Sequence, residues 1–339
     1  MIGGNSMKRC MKCILPETFP GIKFDEDGVC SYCHKSSYRT KGTNKKKWEE
    51  KFLALIEEHR KKRASSASYD VIMAYSGGKD STYTLDIFVN RYNLRVLAYT
   101  FDNAFMSPGA FVNIRNVCSN LGVDSLVIHP SPPMLKKIFR HAAKSPMYSP
   151  KTLERASTIC TSCIGMVKSS MLRTALEKNI PFVGFGWSPG QAPLQSSVMK
   201  TNASLMKASQ KAIYKPLHKI AGDAINSLFV TGEQFNHPER FPWNIHPLAF
   251  LEYDEQKIVQ RNQEIGWKKP DDTDPNSTNC LLNAYANNIH RRKYGFHPYV
   301  WEIANMVRQG VMSREEGLAK IEPQESPKMV ALIKKELNI

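Results

Sequence analysis

The hexapeptide Ser76-Gly77-Gly78-Lys79-Asp80-Ser81 most constrains what this chain can fold into. An apolar run, residues 69–75, leads into it, and a helix-like pattern, residues 82–88, leads out. Strand, tight glycine turn and helix start together form the opening unit of an α/β layer. Paired glycines let the backbone approach an anion closely. The free N–H groups and positive dipole end of the new helix then face that anion. Lys79 adds a formal charge, and the Ser76 and Ser81 hydroxyls can donate to phosphate oxygens. The turn suits a polyphosphate, most simply the pyrophosphate part of ATP. It is not the ordinary P-loop, which places four residues between its glycines and Ser or Thr after its Lys.

The same alternation continues. Strands are expected at 70–75, 94–101, 124–129 and 181–187, with helices from the glycine turn to about 90, around 108–121 and at 164–178. This predicts an α/β fold, a doubly wound parallel sheet with its ligand at the carboxyl ends of the strands. Thr100 and Asp102 end the second strand, where such sheets meet the adenosine part of a nucleotide; an ordinary turn role for Asp102 is equally open. Gly184 and Gly186 end the fourth strand and permit close backbone approach to a ligand. The 339 residues divide into a cysteine module at 7–42, an amphipathic linker helix at 43–66, the α/β domain at 67–235 and a mainly helical region at 236–339. Ser65-Ser-Ala-Ser68 is expected to break the linker helix. Ser313 and Glu316 read as a capping box opening a helix at Arg314–Ile321.

Eight cysteines sort by spacing. Cys10-x-x-Cys13 and Cys30-x-x-Cys33 enclose sixteen residues carrying two turns, which fits a four-thiolate Zn²⁺ ribbon. Zinc would supply the folding energy that so short a segment lacks. A redox dithiol pair is the weaker alternative. Cys160-x-x-Cys163, expected at a helix N-terminus with stabilised thiolates, forms a second set to which Cys280 can add a third thiol. Two partly buried thiols, a redox dithiol and a three-cysteine 4Fe–4S site with one open iron are all open for this set. Cys118 is left over.

The formal net charge of +16 favours phosphate-rich partners such as tRNA and ATP, although solvated lysine clusters at 45–47 and 60–63 account for much of it. No apolar run is long enough to span a membrane, and no signal peptide is visible, so a cytoplasmic protein is expected. The first six residues read as foreign to a natural start at Met7.

The hexapeptide resembles the SGGxDS signature of the PP-loop ATP pyrophosphatase superfamily. That resemblance implies that ATP adenylates a substrate oxygen, that pyrophosphate leaves and that a nitrogen or sulfur nucleophile displaces AMP. It implies Mg²⁺ as well. An acidic residue that commonly follows the fourth strand in this superfamily is Gln191 here, which leaves Asp80 as the nearest metal-holding candidate. His246-Pro247-Leu248 resembles the Arg-Pro-Leu segment of PP-loop tRNA-modifying enzymes, and His246 is either near the phosphates or on a surface turn.

Two narrower resemblances compete. Residues 10–33, the glycine turn, Thr100-Phe-Asp102, the CxxC and the segments 291–295 and 312–316 look like N-acetyl sugar amidotransferases of surface-polysaccharide pathways, which take ammonia from a glutaminase partner. Cys160, Cys163 and Cys280 resemble the cluster cysteines of 4Fe–4S-dependent PP-loop tRNA thiolases. The cysteines speak to the reaction itself, so sulfur transfer is the leading expectation, with Lys79, Asp80, Cys160 and Cys163 as catalytic residues. The acceptor is a tRNA or a small molecule such as a nucleotide sugar, a sulfur donor or glutaminase is a potential partner, and a homodimer is open. Amidotransfer and a non-catalytic nucleotide- or RNA-binding module are the alternatives.

Overall fold

The computed structural model describes residues 7–40, 45–62, 68–273, 277–323 and 325–339. The first six residues, the break at Ser65-Ser-Ala67, the boundary near 41–44 and Asp274-Pro-Asn276 lie outside the described residues.

Six strands form one sheet: β1 Val71–Ala74, β2 Val96–Phe101, β3 Asp124–Ile128, β4 Phe182–Phe185, β5 Val198–Lys200 and β6 Trp243–Ile245, in the order β3-β2-β1-β4-β6-β5. All neighbouring pairs are parallel except β5 against β6. The chain runs outward from β1 through β2 to β3 and then returns to place β4 on the other side of β1. The sheet therefore reverses direction between β1 and β4, and the glycine turn leaves one of these two strands. Such a switch point opens a crevice at the strands' carboxyl ends.

Alternate strand residues feed two cores. Ile72, Leu97, Tyr99, Val183 and Phe185 pack with the helices Pro132–Lys144 and Thr158–Glu177. Val71, Met73, Val96, Ala98 and Phe182 pack with Lys45–Lys62, Lys79–Asp86 and Pro108–Leu121. The helix at 45–62 is thus part of the α/β body: Phe52 and Ile56 are buried, each contributing roughly 1.5–3 kcal/mol of apolar transfer energy.

Two sequence expectations change. The helix expected at 164–178 begins at Thr158, because the Ser157 hydroxyl accepts from the Cys160 N–H at 3.1 Å and caps it. Beyond the four strands expected, the chain supplies β5 and β6. The capping box at Ser313 and Glu316 is present and opens the helix Arg314–Ile321.

The four-cysteine module has two isolated antiparallel bridges, Arg9 with Pro16 and Phe24 with Cys30. It shares its apolar core with the C-terminal region: Ile14, Leu15 and Phe19 pack with Phe296, Val300, Ile303 and Ile321. Phe19 stacks on Trp301 at 5.5 Å, and the Arg314 guanidinium donates to the Cys10 and Cys13 carbonyls. No described helix is long and apolar enough to cross a membrane.

Candidate active site

The glycine turn is held from behind. Gly77 has φ +71°, and a Cβ there would meet the Ala110 carbonyl oxygen at 2.5 Å, so only glycine fits. The Gly77 carbonyl accepts from the Trp267 indole at 2.9 Å and from the Asn113 amide at 3.4 Å. The Lys79 carbonyl accepts from the buried Asn262 amide at 2.8 Å. The carbonyls are thereby engaged by the protein. The helix that follows has Gly78 at its N-cap and no capping bond from that residue, so its N-terminus suits an anion.

These groups line a cavity of about 350 Å³ that includes Ser76, Gly78, Lys79, Asp80, Ser81 and Gly186. The Lys79 ammonium donates to the Tyr253 hydroxyl at 2.8 Å and lies 3.2 Å from Asp80 and 3.3 Å from Glu255. Tyr253 donates to Asp80 at 2.9 Å, and burial pushes its phenol well above its usual range, keeping it a donor. The hydroxyls of Ser76 and Ser81 lie 3.1 Å apart.

Glu302 enters the cavity from the helix Val300–Arg308. Burial, with the neighbouring Asp80 charge adding to it, pushes its carboxyl up to about 7 against a bond donated by Ser188 at 2.9 Å. Gln191, standing where an acidic residue was sought, instead accepts from the Ser188 N–H at 2.9 Å. The fold therefore brings Glu302, more than a hundred residues further on, to the Ser188 loop and presents it with Asp80 and Glu255 in one cavity. The three carboxylates share the cavity, but among the described residues their oxygens are not gathered into a metal-ligand group, and the Lys79 ammonium lies against Asp80 and Glu255.

Other predicted residues are placed elsewhere. The Thr100 hydroxyl donates to the Tyr75 carbonyl at 2.7 Å, and Asp102 accepts from Ala104 N–H at 2.8 Å and pairs with His129 at 2.9 Å. Both serve the strand end, and neither lines the cavity. Gly184 is explained by packing, since a Cβ there would lie 2.4 Å from the Phe88 ring. Gly186 passes against the Ser81 backbone, where a Cβ would lie 2.5 Å from Cα. His246 is buried against the Phe185 and Trp187 rings, 4.5 Å from the latter, and burial lowers it to about 3. It is neutral and supplies no positive charge to a phosphate. Lys168 stands over that stack, its nitrogen 4.2 Å from the centre of the Trp187 ring, and burial lowers it to about 8.

The cysteines form two centres. Cys10, Cys13, Cys30 and Cys33 are buried, and their sulfurs lie within 4.8 Å of one another. Cys10 to Cys33 and Cys13 to Cys30 are both 3.8 Å. A tetrahedral site with Zn–S bonds of about 2.3 Å puts its sulfurs about 3.8 Å apart, so the four residues form a metal-binding group of the geometry zinc takes. Backbone N–H groups of Cys13 and Cys30 point at the Cys10 sulfur at 3.4 and 3.2 Å.

Cys160, Cys163 and Cys280 are half-buried. One amide, Asn103, touches Cys163 at 3.6 Å and Cys280 at 3.4 Å. Cys280 arrives through a bridge to Met106, with Ser107 N–H donating to the Asn279 carbonyl at 3.0 Å. The fold therefore joins the distant third cysteine to the CxxC. The expected stabilised thiolates are not found: burial, with the Cys280 charge adding to it, pushes Cys160 up to about 12, and Cys163 also rises. Burial outweighs the helix terminus here. Three convergent soft thiols with no fourth suit an iron–sulfur cluster with one open iron. Cys118 is an ordinary core residue.

One segment connects the two chemistries. The Thr278 hydroxyl accepts from the Lys79 N–H at 3.0 Å, at the very terminus where an anion would sit, and Cys280 is two residues further on. Thr278, Glu302, Trp267 and Asn262 were not legible as site residues, because only the fold brings them to the turn. A weak signal was the polar run 276–279 ahead of Cys280.

No family model matches the chain. An uncharacterized protein of Methanocaldococcus jannaschii is 24% identical over 268 residues, covering 79% of this chain and 78% of that protein. A solved structure of the U34-tRNA thiolase NcsA from Methanococcus maripaludis, with its 4Fe–4S cluster, aligns over 98% of this chain and 99% of its own at 15% identity, with a TM-score of 0.37. A likeness at that score carries no argument about fold or activity.

Proposed function

We propose that the chain is an ATP-dependent enzyme that adenylates a substrate oxygen, releases pyrophosphate and replaces that oxygen with sulfur, the oxygen and its bonding pair leaving with AMP. The observation that supports it is the segment 277–280, which touches the glycine turn through Thr278 and supplies the third thiol through Cys280. A nucleotide site and a sulfur site built on one short stretch are what a two-step transfer needs.

In the first step the glycine turn, the helix terminus, Lys79 and the two serine hydroxyls bind the ATP phosphates. Their preorganised donors stabilise charge developing on the leaving pyrophosphate. Asp80 is the candidate to hold Mg²⁺ beside the phosphates, and the ion would neutralise phosphate charge when bound. A substrate oxygen attacks the α-phosphorus, the α–β bridging bond breaks, and the electron pair leaves with pyrophosphate. A 4Fe–4S cluster held by Cys160, Cys163 and Cys280 would supply, when bound, an open iron that carries sulfide. Asn103 orients two of those thiols. Zinc in the four-cysteine module has no open position and would hold the module against the helix Val300–Arg308.

Pyrophosphate release from ATP in the presence of acceptor tests the first step. Lys79→Ala should lower it at least 100-fold, about 3 kcal/mol of lost transition-state stabilisation. Unchanged release overturns the assignment. A protein that holds zinc alone and turns over only with a glutaminase would instead be an amidotransferase.

A further inference from the structure

A second cavity, of about 610 Å³, lies between the four-cysteine module and the helix Val300–Arg308. It is distinct from the nucleotide cavity in its charge. Lys35, Lys45, Lys151, Arg155 and Arg308 line it, and among the described residues no carboxylate does. One of these cations has a counter-charge, since Lys151 pairs with the buried Glu154 at 2.8 Å. Two of the cations are braced on one ring: the Arg155 and Arg308 guanidiniums lie 5.8 and 5.2 Å from the centre of Trp301. Trp301 is itself fixed by stacking on Phe19. The Arg308 fork already donates to the Cys13 sulfur at 3.4 Å and to the Asn305 side-chain oxygen, whereas Arg155, braced on the ring, can present its N–H fork to an oxyanion. A concave surface lined by one sign of charge concentrates anions of the other.

The helix Val300–Arg308 is the wall between the cavities. Glu302, Ile303 and Met306 face the nucleotide side, whereas Trp301, Asn305 and Arg308 face the basic side. Gln191 lines both, so the two spaces adjoin at that residue. We propose that the basic cavity binds a phosphate group of the acceptor substrate, leaving the remainder of the acceptor to reach past Gln191 toward the nucleotide. The word acceptor rests on the adenylation reading; the phosphate site itself does not. The phosphate comes either from an RNA backbone or from a nucleoside diphosphate.

The test uses the full chain with metal bound at the four-cysteine module and two probes, unmodified bulk tRNA and UDP-N-acetylglucosamine. Binding of each is measured for the parent, for Arg155→Glu and for a control reversal at Lys219, an exposed lysine outside the cavity. Metal content and circular dichroism confirm that each variant is folded. At least one probe should bind the parent. Arg155→Glu should weaken that binding at least tenfold, and Lys219→Glu by less than twofold. If tRNA is the ligand, the salt dependence of its binding should also become shallower by about one ion per lost phosphate contact. Response of the tRNA alone identifies an RNA backbone, and response of the sugar nucleotide alone identifies a diphosphate. Binding of neither probe, or equal losses in the two variants, or no loss in Arg155→Glu, overturns the proposal. ATP affinity measured on the same samples separates the two claims: a parent that fails to bind ATP defeats adenylation and leaves the phosphate site standing.

Discussion

The two cysteine centres are built in opposite ways. Cys10, Cys13, Cys30 and Cys33 come from one short stretch, are fully buried and already have the sulfur spacing of a tetrahedral ion. Cys160, Cys163 and Cys280 come from two distant stretches and stay half-buried, and Asn103 links Cys163 to Cys280. The first set closes around its metal and exchanges its remaining contacts with the C-terminal helices. The second has three thiols, and the segment that carries Cys280 is tied to the glycine turn through Thr278. The contrast teaches that the same residue, at the same CxxC spacing, closes into a four-sulfur group in one place and stays an open three-thiol set in another. Whether the set is saturated and what its supporting segment touches make the difference.

The largest effect should fall on the closed set. Cys30→Ser should release the metal and detach the module from Phe296, Val300 and Ile321, lowering stability by at least ~5 kcal/mol, since structural zinc contributes roughly 10 kcal/mol or more to folding of such segments. Thermal melting with metal analysis checks this, and a variant that melts with the parent would break the comparison.

A smaller effect concerns Lys168, on the same helix as Cys160 and Cys163. Its amine is lowered to about 8 from 10.5, first by burial and then by Arg155. Between these values the folded protein binds fewer protons than the unfolded chain, so stability rises with pH across the window, and the cost of the buried charge is fully present below pH 8. Lys168→Met should therefore stabilise the protein by about 1–2 kcal/mol at pH 7, with the gain gone above about pH 10.5. Denaturant titrations at both pH values measure it; a gain independent of pH would show that packing alone is responsible.

The smallest effect sharpens the link between the open set and the nucleotide. Thr278→Val removes the hydroxyl that occupies the Lys79 N–H and frees that donor for a phosphate oxygen. ATP affinity should rise about fivefold, the worth of about one hydrogen bond. Calorimetry would show it, and a weakened affinity would mean that Thr278 contacts the nucleotide instead of competing with it.

What could be read from the chain follows from distance along it. The glycine turn and the four-cysteine module depend on neighbours within a few residues or on one short loop, so spacing alone reveals them. The helix at Arg314–Ile321 carries its own cap and was legible for the same reason. The strands β5 and β6 are three residues each, too short for an alternating pattern to register. Glu302 lies in an unremarkable helix, and only the packing of that helix on the Ser188–Gln191 loop makes it a cavity carboxylate. His246 meets neither of its two expectations, a place near the phosphates or a surface turn, because it is buried against Phe185 and Trp187 and burial lowers its pKa.

The most direct test of the central contrast is iron, sulfide and zinc analysis of the anaerobically purified parent and of Cys280→Ala. The account predicts about four iron and four sulfide per chain together with one zinc in the parent, as one 4Fe–4S cluster and one four-thiolate site require. It predicts zinc alone in Cys280→Ala. Iron absent from the parent, or iron retained in full by the variant, would contradict it.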